Sequence, residues 1–178
     1  MAQDITVPVK LDEKTFKRFA RFDMLSLRKR WVRPAVFAGI LTAFALVALF
    51  SGKKEMELIA AVLLVVGLGL PIVYLGAFLS QVNMQAVQQK LGKEGRRVYD
   101  IRLTDQEIIV VNRRKTDERV VLPWKDVLQA YRDKGCIYLY VHTVRAFLIP
   151  DGQASVPADD VWAFITAHME PAKCKRLK

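Results

Sequence analysis

The side chains that could do acid–base, nucleophilic or metal chemistry are few in this chain of 178 residues. The two histidines, His142 and His168, lie far apart and lack the cysteine or carboxylate spacing of a zinc site or a catalytic triad. The two cysteines, Cys136 and Cys174, form no Cys-x-x-Cys pair. We therefore assign no catalytic, metal-binding or cofactor-binding residue, and we expect that the protein is not an enzyme.

The acidic pairs and one tryptophan have plainer explanations than a reaction. Asp117-Glu118 fits a turn, and Asp159-Asp160 fits the first turn of a helix, where the positive end of the dipole favours carboxylates. Neither a phosphate-binding loop nor a glycine-rich dinucleotide fingerprint occurs. Trp124 is able to anchor a ligand or a partner, but a large aromatic between two strands more often belongs to a core. We favour the core position.

Two uncharged runs dominate the middle of the chain. Residues 34–52 supply 19 residues and residues 58–81 supply 24, without a single Lys, Arg, Asp or Glu. Because a bilayer core of about 30 Å needs about 20 helical residues, each run is long enough to cross. Buried helices of a soluble protein would usually show a polar face, which neither run has. A cleaved signal peptide is disfavoured because the first run begins only after a charged amphipathic stretch of 33 residues. We predict a transmembrane helical hairpin over residues 34–81, with spans at about 34–52 and 58–80.

The basic residues predict the orientation of this hairpin. Cations that flank the first span, together with a tryptophan suited to the headgroup level, form the predicted membrane-interface set: Arg28, Lys29, Arg30, Trp31 and Arg33. Further cations follow the second span: Lys90, Lys93, Arg96 and Arg97. The loop between the spans has only Lys53 and Lys54, which Glu55 and Glu57 offset. Both termini should therefore face the cytoplasm, where the cysteines stay free thiols.

Small residues in the spans are candidates for close helix packing. The set is Gly39, Ala43, Gly67 and Gly69. Packing within the hairpin is the simpler explanation, and assembly with other chains is the alternative. No Asp, Glu, Lys, Arg or His lies inside either run, so the chain lacks the usual chemistry of an ion path.

Polar segments flank the hairpin on both sides. Residues 1–33 predict a short strand near Ile5 and an amphipathic helix that Asp12 caps and that continues toward Arg30. Residues 82–178 predict about six short antiparallel strands and a C-terminal helix that starts near Pro157. The predicted class is an α+β membrane protein. The sequence leaves open whether the first strand joins the C-terminal sheet and what the basic C-terminal tail does.

The order of these elements resembles the YcxB-like family of bacterial membrane proteins. Four segments carry the resemblance: Tyr99-Asp100-Ile101, Leu122-Pro123-Trp124-Lys125-Asp126-Val127, Tyr138-Leu139-Tyr140-Val141 and Phe147-Leu148-Ile149-Pro150. The resemblance implies a small pleckstrin-homology-like domain, closed by a C-terminal helix, at the bacterial inner membrane. It implies no activity, because these segments are structural signatures.

The function that these observations favour is a non-enzymatic, membrane-anchored module whose cytoplasmic domain binds a protein or a lipid headgroup. The alternative is an accessory subunit of a larger transporter or envelope complex, or a homo-oligomer, assembled through the transmembrane helices. An enzyme acting on lipid ranks last because its nucleophile and base cannot be named. Membrane lipids are expected partners, because the excess positive charge behind the net charge of +10 flanks the membrane spans. Nucleic acid is not an expected partner, because the C-terminal cations are scattered among acids.

Overall fold

The computed structural model describes residues 4–88, 91–92, 94–113 and 118–177. The chain forms two compact units. The first, the β unit, combines Met1–Phe16 with Lys90–Lys178, and the second, the hairpin unit, is Lys17–Gln89. The hairpin unit is therefore inserted between the first strand and the rest of the β unit. The predicted α+β class is confirmed.

Two long helices make up most of the hairpin unit. Helix α2 comprises Val32–Phe50 and helix α3 comprises Lys54–Gln88. At 1.5 Å per residue, these helices are about 28 Å and about 52 Å long. The predicted apolar runs lie in these helices and in the turn between them, where Gly52 adopts a φ of 68°. Both helices are long and apolar enough to span a membrane.

Small residues allow α2 and α3 to pack closely against each other. Ala45 and Ala60 are fully buried, and a Cβ added at Gly67 would lie 3.1 Å from the Cβ of Leu41. Most of the larger side chains of the two helices are exposed. Over the most apolar 18-residue stretch of each helix, only 6% of α2 and 11% of α3 is buried.

A shorter helical segment precedes the hairpin. Helix α1, Glu13–Phe22, begins with the predicted cap, because the Thr15 amide donates to Oδ1 of Asp12 at 3.0 Å. One π-helical segment, Asp23–Leu27, follows directly. The sequence predicts that this helix continues toward Arg30, but it ends at Leu27. Lys29 then adopts the left-handed conformation with a φ of 45°, which interrupts the helical backbone before α2 begins.

Four antiparallel strands form the first sheet of the β unit, in the order β1-β2-β3-β4. They are β1 Ile5–Leu11, β2 Arg96–Leu103, β3 Glu107–Asn112 and β4 Arg119–Pro123. Strand β1 pairs along its whole length with β2, which settles the question that the sequence leaves open. Alternate residues of β1, from Ile5 to Leu11, are buried, as a strand with one face on a core requires.

The second sheet has the order β7-β6-β5-β8. Its strands are β5 Gln129–Asp133, β6 Cys136–His142, β7 Arg145–Pro150 and β8 Cys174–Arg176. Strand β8 pairs in parallel with β5, so the basic tail, which the sequence leaves unassigned, contributes an edge strand. Helix α4, Ala158–Ala167, precedes it and buries Val161, Trp162 and Ile165. The described residues thus hold eight strands, and the sequence predicts one near Ile5 and about six in residues 82–178; β8 is the additional strand.

Two polar bridges join distant parts of the β unit. The hydroxyl of Tyr99 in β2 accepts from the Leu148 amide at 2.8 Å and donates to the Leu148 carbonyl at 3.1 Å, which links the two sheets. Burial of this hydroxyl raises the pKa of Tyr99 above its ordinary value. The side-chain amide of Gln153 makes an equivalent pair of bonds with the backbone of Lys10, at 2.6 Å and 2.9 Å. These bridges satisfy buried or irregular backbone groups that the strands themselves leave unpaired.

Candidate functional site at the basic end of the helical hairpin

An open groove with a volume of about 430 Å³ lies at the end of the hairpin opposite the Gly52 turn. Four cations and one phenol line it: Arg28, Lys29, Arg30, Arg33 and Tyr74. The first three come from the segment that leads into α2, and Arg33 lies in the first turn of α2. Positive charge is therefore concentrated where the polar segment before α2 meets the apolar helices.

The antiparallel path of the hairpin explains why Tyr74 belongs to this groove. Arg30 and Tyr74 are equally distant from Gly52 along the chain, on opposite sides of the turn. Two helices that rise equally per residue bring such positions to the same level. Tyr74 consequently lines the same groove as the arginines at the start of α2.

The charges of the groove are only partly compensated. Arg28 is half-buried and pairs with Asp23, with its Nε 3.0 Å from Oδ1 and 2.9 Å from Oδ2. Within the described ranges, the structure records no ion pair for the side chains of Lys29, Arg30 and Arg33. The positive end of the α2 dipole lies in the same region and adds to their field. The groove is thus an electropositive site with three cations available to an anion.

The structure brings together four of the five residues predicted at the membrane interface. Trp31 is the fifth; it is half-exposed beside the groove, and its indole Nε1 donates to the Leu25 carbonyl at 3.2 Å. Tyr74 is the lining residue that the sequence prediction missed. The signal that identifies it is its distance from the loop, which matches that of Arg30.

The comparisons with known proteins add no name to this site. The chain matches no protein-family profile, no curated protein and no solved structure.

The predicted helix-packing residues divide between two faces of the hairpin. Gly67 faces α2, where an added Cβ would also lie 3.5 Å from the Ala38 carbonyl oxygen. A Cβ added at Gly39 or Gly69 would meet no atom within 4 Å, and Ala43 is exposed. Gly67 therefore lies in the seam within the hairpin, whereas Gly39 and Ala43 lie on an outer face of α2.

The histidines of the β unit belong to packing and turn structure. The ring of His168 stacks on Trp124 with the centroids 5.2 Å apart, and its Nε2 lies 3.4 Å from Oδ1 of Asp105. Trp124 is buried and its indole donates to the Thr104 carbonyl at 2.9 Å, as expected of a core residue. His142 is exposed near the turn between β6 and β7. Among the described residues, no three His, Cys, Asp or Glu side chains are grouped so as to hold a metal.

The cysteines are poor nucleophiles in this environment. Cys136 is buried in β6, and desolvation raises the pKa of its thiol to about 12. Cys174 is half-buried in β8, and desolvation raises its pKa as well. Since the thiolate is the reactive form, both sulfurs stay protonated and unreactive near neutral pH. Glu118 precedes β4, and its predicted turn partner, Asp117, lies outside the described residues, as do Lys90 and Lys93.

Proposed function

We propose that this chain is a non-enzymatic interaction module anchored in a bacterial inner membrane. In this proposal α2 and α3 cross the membrane, both termini lie in the cytoplasm, and the β unit presents a binding surface there. Anchoring would raise the local concentration of that surface around membrane-bound partners. The proposal rests mainly on one observation, the outward-facing apolar surface of the hairpin.

That surface has no partner in the described chain. In α3, for example, Val65 is 73% exposed, and comparable exposure extends along both helices. A core helix of a soluble protein of this length would be mostly buried, because each exposed aliphatic side chain in water costs about 1.5–3 kcal/mol relative to a buried one. Lipid tails remove this cost, since they are as apolar as the side chains. The exposed hairpin therefore supports membrane insertion.

The distribution of charge along the hairpin supports the proposed orientation. In the groove at one end lie three cations for which the described residues show no ion pair. At the other end, Lys53 and Lys54 are followed by Glu55 and Glu57. Positively charged flanks are retained on the cytoplasmic side during insertion. The groove end, and with it both termini, is therefore assigned to the cytoplasm.

The β unit supports an interaction role and a YcxB-like relationship. Seven of the eight described strands precede helix α4 and β8 follows it, an arrangement compatible with a pleckstrin-homology-like domain. Residues that carry the resemblance, such as Trp124, Tyr138 and Ile149, are buried packing residues. A family defined by such positions would share a fold rather than a reaction. We therefore propose both the family and the fold without an activity.

Alkaline carbonate extraction of bacterial membranes tests the anchor. A hairpin that spans the bilayer stays in the pellet, and its recovery in the supernatant would contradict the proposal. Orientation is tested in the same cells with a membrane-impermeant maleimide. In a chain with Cys174 replaced by serine, we expect a Lys53→Cys variant to be labelled in intact spheroplasts. A Val144→Cys variant, at an exposed position of the β unit, should be labelled only after permeabilisation. The reverse order would place the termini outside.

The second candidate function is that of an accessory subunit assembled through the helices, and the exposed positions of Gly39 and Ala43 favour it. Small residues four apart on an outer helix face permit close approach of another helix. Substitution of both by isoleucine should then reduce the mass of the native complex in mild detergent. Ala61→Ile, on an exposed position of α3, is the matched control and should leave the mass unchanged. Equal masses for all three chains would remove this candidate.

A further inference from the structure

We propose that the groove lined by Arg28, Lys29, Arg30, Arg33 and Tyr74 is a phosphate-binding site. The chemistry that it recognises is a phosphate group, carried by an anionic lipid headgroup or present as free phosphate. The lipid source rests on the proposed function, because only an inserted hairpin holds the groove at headgroup level. All five lining residues belong to the hairpin unit.

The cations of the groove match this ligand in number and type. Arg30 and Arg33 offer planar guanidinium groups, whose paired N–H donors fit two oxygens of one phosphate. Lys29 adds a compact charge, and its left-handed backbone, with a φ of 45°, lies in the turn directly before α2. No carboxylate within the described chain is recorded as neutralising these three side chains. An anion would relieve their mutual repulsion.

The remaining features of the groove favour a phosphate over a simple halide. Tyr74 contributes a hydroxyl that donates to an oxygen acceptor, and it comes from a different helix than the cations. Arg28 is held by Asp23 and so forms a fixed wall rather than a free charge. The volume of about 430 Å³ falls within the range of about 300–1,000 Å³ typical of small-ligand sites. It leaves space for the glycerol part of a headgroup.

The opposite end of the hairpin provides a matched comparison. Lys53 and Lys54 are two cations in the loop region, but the acids Glu55 and Glu57 follow them directly. Replacing these lysines removes the same charge from the same unit without touching the groove. Any effect of general net charge on lipid binding would therefore appear in both double variants.

Native mass spectrometry of the full chain in a neutral detergent tests the site. Short-chain phosphatidylglycerol and phosphatidylcholine are titrated separately into the wild type, R30Q/R33Q and K53Q/K54Q. We expect the wild type and K53Q/K54Q to prefer phosphatidylglycerol, and R30Q/R33Q to bind it about tenfold more weakly or worse, because two charge-assisted contacts are lost. Tyr74→Phe should weaken it by about threefold, the loss of a single neutral hydrogen bond. Unchanged helical circular dichroism confirms that each variant is folded.

Inorganic phosphate forms the second arm and identifies the source. Displacement of phosphatidylglycerol by phosphate at millimolar concentration supports a site for the phosphate group itself, and absence of displacement supports a site that requires the lipid. The proposal is overturned if R30Q/R33Q binds phosphatidylglycerol as the wild type does, or if K53Q/K54Q loses binding equally. It is also overturned if the wild type does not prefer phosphatidylglycerol to phosphatidylcholine. Carbonate extraction of the same chains separates the two proposals. A chain that stays in the pellet without phosphate binding refutes the site alone, and a wild type that is extracted refutes the anchor alone.

Discussion

The two units of this chain contain the same types of apolar side chain, but the β unit buries them and the hairpin exposes them. In strand β1, Val7 and Val9 are completely buried, whereas Val65 in α3 has most of its surface exposed. Valine has the same transfer free energy in both places, so the difference must come from the surroundings of each unit. The β unit has an inside that excludes water. The hairpin has an apolar outer surface that the other described residues leave exposed.

Polar groups show the same contrast. In the β unit, Tyr99 links two sheets through its hydroxyl, and Trp124 bonds to a carbonyl twenty residues earlier in the chain. In the hairpin, the hydroxyl of Thr42 bonds to the carbonyl of Ala38 one turn earlier, at 2.8 Å. A local bond of this kind needs neither water nor a partner helix. The hairpin therefore satisfies its polar groups as a lipid-exposed helix must.

The largest expected effect comes from placing a charge, in separate variants, at two equally exposed positions of helix α3. Val65 and Val87 in α3 are 73% and 74% exposed, but only Val65 lies in the predicted span. Val65→Arg should oppose membrane integration by about 3–4 kcal/mol, whereas Val87→Arg should leave it unchanged. Carbonate extraction of the two variants measures the difference. Equal retention of both would mean that position 65 does not face lipid.

Truncation of an aliphatic side chain should give the opposite ranking between the units. Leu139 in β6 is fully buried, so Leu139→Ala should lower the free energy of unfolding of the β unit by about 3 kcal/mol. Val47 in α2 is largely exposed, and Val47→Ala should change stability by less than about 0.5 kcal/mol. Urea titration of the full chain in neutral detergent, followed by tryptophan fluorescence, reports the β unit. Unfolding with sodium dodecyl sulfate, followed by helical circular dichroism, reports the hairpin. A cost at Val47 as large as that at Leu139 would break the comparison.

Alkaline pH should weaken the β unit through its buried thiol. Because desolvation raises the pKa of Cys136 from its ordinary value near 9 to about 12, the folded state retains a proton that the unfolded chain loses. The stabilisation is fully present below pH 9 and is lost as the pH rises toward 12. Between pH 8 and pH 10 the wild type should lose about 1–2 kcal/mol more than Cys136→Ala. Parallel pH profiles of the two chains would show that the thiol is already accessible to solvent.

The smallest expected effect distinguishes the two faces of the hairpin. Gly39→Ala adds a methyl group to open space, while Gly67→Ala places one 3.1 Å from the Cβ of Leu41. Both gain helix propensity, so crowding should leave Gly67→Ala less stable than Gly39→Ala by about 1 kcal/mol. Unfolding of the helices with sodium dodecyl sulfate, followed by circular dichroism, measures this difference. A less stable Gly39→Ala would instead point to a partner on the outer face.

Local signals in the sequence predicted the elements that depend on neighbouring residues. The two apolar helices follow from composition and length, and the cap at Asp12 follows from the preference of a helix start for an acceptor side chain. Four of the groove residues were predicted as a basic cluster because they are close in sequence. In each case the physical cause acts over a few residues and is visible without a fold.

Contacts between distant segments could not be predicted in the same way. The pairing of β1 with β2 joins strands separated by the whole hairpin, and the parallel strand β8 carries no strand pattern that would identify β5 as its partner. Tyr74 joins the groove only because the hairpin folds back at Gly52. The helix end at Leu27 depends on the left-handed Lys29, a conformation that lysine does not favour. These features come from tertiary packing, which single-residue preferences do not encode.

Solvent accessibility along α3 tests the central claim of this account most directly. Nitroxide labels are attached at position 65 and at position 87, as Val65→Cys and Val87→Cys, in a chain with Cys174 replaced by serine and reconstituted into bilayers. The lipid-exposed hairpin predicts that oxygen relaxes the label at 65 while a water-soluble nickel complex does not, and that the label at 87 responds to the nickel complex. If both labels respond equally to the nickel complex, the outward face of the hairpin is in water, and the proposed anchor is wrong.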